Sequence, residues 1–197
     1  IGLCFRVVFV GFFQLGEFIG RKTRAQPTQV HFHSAIRQIG RKRDIRTCLE
    51  HGQRFVIDIS NDGRADIVGF GDTGVWTAIG NGDGTFQSAQ LVLPAFGLLS
   101  GGWRVDRHPR LLGDLRGTGI IDIVGFGDDG VWTALGNGDG TFQNPAFVLP
   151  DLGFNAGGWR VNRHPRVLAD LRGIGRSDIV AFGNAGVYVP FRHGDGA

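Results

Sequence analysis

The chain has 197 residues, 42% of them hydrophobic and 20% charged, with 34 glycines, no methionine and a net charge of +3 at pH 7. Its length suits one domain or a piece of a larger repeat protein, and its glycines lack collagen's every-third spacing, clustering instead at turns between apolar runs. Residues 1–54 hold ten Lys/Arg and three Asp/Glu, hence +7, whereas residues 55–197 hold eleven and fifteen, hence −4; the acidic part offers no general attraction to nucleic acid.

Residues 1–20 are apolar, but Arg6 and Glu17 interrupt them, so no membrane span is expected. No small-residue cleavage site marks a clear signal peptide. Residues 21–54 are basic and loop-like, with Arg21-Lys22 and Arg41-Lys42-Arg43. Ser34 to Leu49 has the spacing of a short helix, with Ile36, Ile39, Ile45 and Leu49 on one side. This segment reads either as a basic arm for an anionic partner or as a stretch that is poorly folded or not native. Cys4 and Cys48 both lie in it, so cysteine says nothing about the compartment of the rest.

From Phe55 the text repeats. Asp58, Asp114 and Asp170 stand 56 residues apart, as do Asp66, Asp122 and Asp178, and Trp76, Trp132 and Tyr188. Residues 55–110 and 111–166 share 35 identities in 56 positions without a gap, and residues 167–197 begin a third copy. A repeat this long points to a stacked or radial architecture. The absent methionine and the stop inside the third copy suggest a fragment.

Each unit divides into four apolar runs of strand length separated by turn residues. In the middle copy they are Leu111 to Leu115, continued backwards through Arg104 to Arg110, then Ile121 to Phe126, Val131 to Leu135 and Ala146 to Leu149. Gly127–Gly130 and Gly136–Gly140 supply the turns. No run has a helical period. Four short hairpin-linked strands per repeat are the content of one propeller blade. The expected fold is therefore all-β, a partial β-propeller of about two and a half blades, behind an irregular N-terminal segment.

The first copy holds Asp58-Ile59-Ser60-Asn61-Asp62-Gly63-Arg64-Ala65-Asp66. Side-chain oxygens fall at positions 1, 3, 5 and 9, with glycine at 6 and the Arg64 carbonyl in reach, a spacing that wraps a hard cation such as Ca²⁺. In the second copy Arg116 and Thr118 replace Ser60 and Asp62; in the third, Arg172 and Ile174 do. A guanidinium there can stand in for the metal's charge, bridging Asp114 to Asp122 or Asp170 to Asp178. Calcium is expected in the first loop only, at Asp58, Ser60, Asp62, Arg64 and Asp66. The structural alternative is an Asp-Gly turn closed by its own hydrogen bonds.

Gly-Gly-Trp-Arg-Val-Asp/Asn-Arg-His-Pro-Arg recurs at 101–110 and 157–166. A sugar ring needs an apolar plate and a few aimed polar groups, and Trp103, Arg104 and His108, then Trp159, Arg160 and His164, can provide both. The structural alternative packs the tryptophans between blades, lets histidine satisfy a backbone carbonyl and pairs the arginines with loop aspartates. On a straight strand Trp103 and His108 would face opposite sides, so a bulge or a neighbouring blade must unite them.

These signatures, GWRV-x-RHPR, then DL-x-x-x-G-x-x-DIVGFG-x-x-GV[WY] and NGDGTF, resemble the repeat of the Psathyrella velutina lectin family and related Photorhabdus-type lectins. More broadly they resemble FG-GAP/VCBS repeats, as in integrin α propellers. The resemblance covers residues 55–197. It implies a seven-bladed propeller that binds monosaccharides, N-acetylglucosamine or fucose-like, in pockets between adjacent blades, with calcium in the blades that keep the full acidic loop. It also implies a secreted, extracellular protein whose partners are glycans. Two and a half copies cannot close such a ring, so self-association through open blade flanks is expected.

No enzyme is expected. The repeats contain no Gly-x-Ser-x-Gly, no His-Glu-x-x-His and no cysteine. Residues recurring in every copy suit several equivalent binding sites better than one active site. The alternative function is a calcium-stabilised structural or adhesion propeller, or the non-catalytic propeller part of a secreted enzyme.

Overall fold

A computed structural model describes residues 53–190. The expected helix over Ser34–Leu49, the basic arm and the last residues of the third copy lie outside the described residues. Within them every regular element is a strand, and no helix is long and apolar enough to cross a membrane.

The first sheet runs β1 (Arg54–Ile57), β2 (Asp66–Gly71), β3 (Gly74–Ala78) and β4 (Gln90–Leu93). The second repeats it as β5 (Arg110–Gly113), β6 (Asp122–Phe126), β7 (Val131–Ala134) and β8 (Ala146–Leu149). The third holds β9 (Arg166–Ala169), β10 (Asp178–Gly183) and β11 (Gly186–Tyr188). In each, sequential strands pair antiparallel with nearest neighbours. The register repeats too: Val68 pairs with Thr77 and Val124 with Thr133, and β3 and β7 both slip register just before their tryptophan. The four runs expected in the middle copy are all strands. The backward extension of the first one is not, because residues 105–107 form a turn. The β6–β7 connection closes at Gly130, whose φ of 145° suits glycine and where a Cβ would strike the Leu149 carbonyl.

The sheets stack face to face, and side-chain alternation along β6 shows how. Ile123 packs with Val68, Phe70, Val75, Leu93 and Phe96 of the first repeat. Its neighbour Val124 points the other way, into a cluster with Leu152, Trp159 and Ala181. All five β6 residues are therefore buried, whereas β11 is exposed throughout. Shape matching at the two boundaries differs by one compensated exchange. At the first boundary Phe96 and Trp103 lie over Gly125, where a Cβ would come within 2.7 Å and 2.6 Å of their rings. One period later the phenylalanine is Leu152 and the glycine is Ala181, the smaller side chain above making room for the methyl group below. Phe96 and Leu152 reach these positions from left-handed backbone, with φ of 61° and 60°, a conformation that costs free energy and that their burial offsets.

Candidate functional site

The acidic loops lie between the first two strands of each sheet. In the first, the Asp58 carboxylate accepts the N–H groups of Asp62 (3.3 Å) and Gly63 (2.9 Å). Asp66 is fully buried and accepts N–H groups of Ile59 and Ser60 at 3.0 Å and Gly80 at 2.8 Å. Asp62 accepts the Arg64 N–H at 2.9 Å and its Nε at 3.0 Å, and this bonding to Arg64 holds its carboxyl below the usual aspartate range. The Ser60 hydroxyl oxygen is buried and makes no well-formed hydrogen bond, though it lies close enough to Asp62 to help hold that carboxyl down. Among the described residues, no three acidic, histidine or cysteine side chains gather as a metal site would have them. The oxygen chemistry suits a hard cation, but Arg64 would have to release Asp62 before that carboxylate could join a cage.

The second and third loops use arginine. Arg116 donates from NH2 to Asp122 Oδ1 at 2.8 Å and to the Gly136 carbonyl at 2.8 Å. Arg172 donates to both oxygens of Asp178, at 2.7 Å and 3.2 Å. The guanidinium docks on the last aspartate without bridging to the first. Asp114 is taken instead by the backbone N–H groups of Arg116, Gly117 and Gly119, and Asp170 by those of Arg172, Ile174 and Gly175.

The two linkers are tight turns. The His108 N–H donates to the Arg104 carbonyl at 2.7 Å, while the Arg104 N–H donates to His108 Nδ1 at 3.2 Å. That turn, not a bulge, brings Trp103 to 5.6 Å from the imidazole, edge to face. Because Nδ1 accepts, the ring proton sits on Nε2 and is donated to Asp128 at 3.0 Å. The second linker repeats this through Arg160 and His164, with Trp159 at 5.4 Å, but the Nε2 partner is Asn184, at 3.0 Å. His108, His164 and Trp159 are only 3%, 7% and 5% exposed. Trp103 is half-buried between the sheets, and Arg104 is exposed. Each histidine thus meets a backbone N–H and a side-chain oxygen rather than a carbonyl.

The arginines find local partners, not the loop aspartates. Arg104 forks onto Asp106 at 3.2 Å and 3.0 Å. Asn162 replaces that aspartate in the second linker, and Arg160 turns to the carbonyls of Phe154 and Trp159, at 2.7 Å and 3.0 Å. Arg107 pairs with Asp128 at 2.9 Å. The Cζ atoms of Arg107 and Arg160 each lie 3.7 Å from the centre of the Phe154 ring. Two guanidiniums cannot share one face at that height, so they cover both faces and tie the linkers together. Sequence reasoning missed Asp128, Asn184 and Phe154. The first two had a signal, a constant spacing of 20 residues after each linker histidine; Phe154 had none, because its counterpart is Leu98.

No protein-family model matches the chain. No curated protein matches it either. A solved Agrocybe aegerita lectin, described as recognising non-reducing terminal N-acetylglucosamine, is 48% identical over 72% of this chain, with a TM-score of 0.69. The match spans 35% of that lectin's length. The Photorhabdus luminescens Tc holotoxin pore and a TcdB2–TccC3 complex are similar in fold alone. They are 20% identical over 70% and 69% of this chain and 6% of theirs, with TM-scores of 0.54 and 0.53.

Proposed function

We propose that the chain is part of a carbohydrate-binding lectin, a β-propeller whose three described sheets are consecutive blades, acting outside the cell. The observation that carries this reading is the 48% identity to a lectin of terminal N-acetylglucosamine across the repeat region. Nearest-neighbour antiparallel sheets stacked face to face agree with a propeller. The glycan, N-acetylglucosamine or a similar monosaccharide, binds at the two linkers. Arg104 and Arg160 supply donors to its hydroxyls with the N–H groups that Asp106 and the Phe154 and Trp159 carbonyls leave over; Trp103, Trp159, His108 and His164 shape the pocket between sheets. Titration calorimetry of the full chain with N-acetylglucosamine-terminated oligosaccharides tests this. Binding is expected, and Arg104→Ala with Arg160→Ala is expected to weaken it; no binding by the folded protein would overturn the reading.

One observation favours a structural or adhesion propeller instead, the burial of Trp159, His108 and His164. On that reading the linkers are only packing, and a glycan array stays blank.

Calcium belongs to the same proposal. Ca²⁺ binds the first loop through Asp58, Ser60, Asp62, the Arg64 carbonyl and Asp66. The buried Ser60 hydroxyl beside Asp62 supports it, as does the arginine at the equivalent place in the other loops. Self-association also follows: Phe182, Val187 and Tyr188 on the third sheet and Val56 on the first are 42–59% exposed. Sedimentation of the full chain should show a mass that grows with concentration. A monomer at every concentration would contradict it.

A further inference from the structure

Arg54, Arg110 and Arg166 stand one period apart, each opening the first strand of its sheet. Arg54, on the first sheet, is exposed. Arg110 and Arg166, covered by the sheet before them, are 2% and 6% exposed. Each guanidinium reaches across the boundary between sheets: Cζ lies 5.3 Å from the Phe70 ring centre for Arg110 and 5.1 Å from that of Phe126 for Arg166. Arg166 donates one bond, from NH1 to the Leu152 carbonyl at 3.0 Å. Its Nε and NH2 are buried without a hydrogen-bond partner, as are Nε and NH1 of Arg110. Among the described residues no carboxylate pairs with either; the ion pairs go to Arg64, Arg104, Arg107, Arg116 and Arg172.

A buried guanidinium without an anion is costly, and aromatic contacts, with Phe70 for Arg110 and with Phe126 and the more distant Trp159 ring at 6.0 Å for Arg166, cannot satisfy five N–H donors. Nor does the proton leave: burial pushes both groups down to about 10, still well above neutral pH. We infer that Arg110 and Arg166 each hold a monovalent inorganic anion of halide size at the boundary between two sheets. One guanidinium balances one negative charge, and a multiply charged oxyanion would leave excess charge buried. Water would hydrogen-bond but leave the charge uncompensated. The Arg166 site adjoins Trp159, whose ring centre is 6.0 Å from Cζ, but the anion's place depends on the two guanidiniums alone and not on the proposed sugar pocket.

Crystals of the full chain soaked in sodium bromide, with data at the bromine absorption edge, test this directly. Anomalous peaks are expected within hydrogen-bonding distance of both guanidiniums; their absence would overturn the inference. In solution, melting temperature should be higher in sodium bromide or chloride than in sodium gluconate at the same low ionic strength. Arg110→Met with Arg166→Met should erase that difference. Equal melting in the salts, or a difference that survives in the variant, also sinks the idea. If the double variant does not fold, the anomalous map and the native salt comparison decide.

Discussion

The first and second acidic loops have the same length, the same first and last aspartates and the same place in their sheets, yet they satisfy a buried carboxylate differently. Asp66 relies on three backbone N–H groups. Asp122 accepts the N–H groups of Leu115 and Gly136 and the Arg116 guanidinium. Arg116 also donates to the Gly136 carbonyl, so a single side chain ties the loop to the far end of the second hairpin. The lesson is that the exchange of Ser60 for Arg116 swaps a backbone donor for a guanidinium: where the Ser60 N–H reaches Asp66, the Arg116 side chain reaches Asp122.

The largest effect should come from breaking the self-contained version. Asp122→Ala strands the part-buried Arg116 guanidinium, the buried Gly136 N–H and the part-buried Leu115 N–H, and about 3 kcal/mol of stability should be lost, the low end for breaking a buried pair. Urea unfolding measures it. Asp66→Ala orphans only backbone donors and should cost less; an equal loss at both sites would show that the guanidinium adds nothing.

Next comes calcium. If the first loop binds it, saturating Ca²⁺ at about 100 times Kd stabilises the fold by about 2.7 kcal/mol. Asp62→Ala should abolish the response to chelator, and Thr118→Ala should leave it intact. Arg116→Ser should cost about 1.5–3 kcal/mol, the range for hydrogen bonds to a charged group. Adding Thr118→Asp to it rebuilds the first loop's oxygens at 116 and 118. That double variant should recover part of the loss only when Ca²⁺ is present. A first loop whose melting ignores chelator would return it to a turn held by Arg64 and its own N–H groups.

Much of this was legible because the repeat doubles every signal. Turn glycines and β-branched runs marked the strands of the middle copy, and of the expected Arg116 bridge from Asp114 to Asp122 the Asp122 half is present. What stayed hidden depends on packing between copies. The Phe96/Gly125 and Leu152/Ala181 exchange involves residues 29 positions apart in each pair, whose compensation is visible only once sheets are stacked. The linkers misled for a local reason. Val105 and Val161 give a strand-like alternation, but the backbone bonds from His108 to Arg104 and from His164 to Arg160 close turns there. Those turns set the tryptophans and histidines between the sheets, a placement that no pattern of alternation along a strand could show.

The smallest effect is a pH dependence at the first linker. There Nδ1 of His108 accepts the Arg104 N–H, so only the neutral imidazole fits the turn. Burial, aided by Arg107 and Arg110, sets the His108 pKa below the ordinary 6.5, and Asp128 opposes it only in part. The folded value is the lower one, so as pH falls below about 6.5 the unfolded chain takes up a proton that the folded chain refuses. Stability is then complete above that pH and declines beneath it until the folded value is reached. Asp128→Asn gives the first linker the neutral partner that Asn184 provides in the second. It removes the group that favours the imidazolium and should steepen the decline between pH 7 and 5, measured relative to each protein's own stability at pH 8. His108→Gln should remove this contribution and flatten the profile, after whatever fixed loss the missing Arg104 bond imposes. Urea titrations at four pH values read both changes. If the native protein and His108→Gln decline in parallel, the imidazole is not the group that refuses the proton.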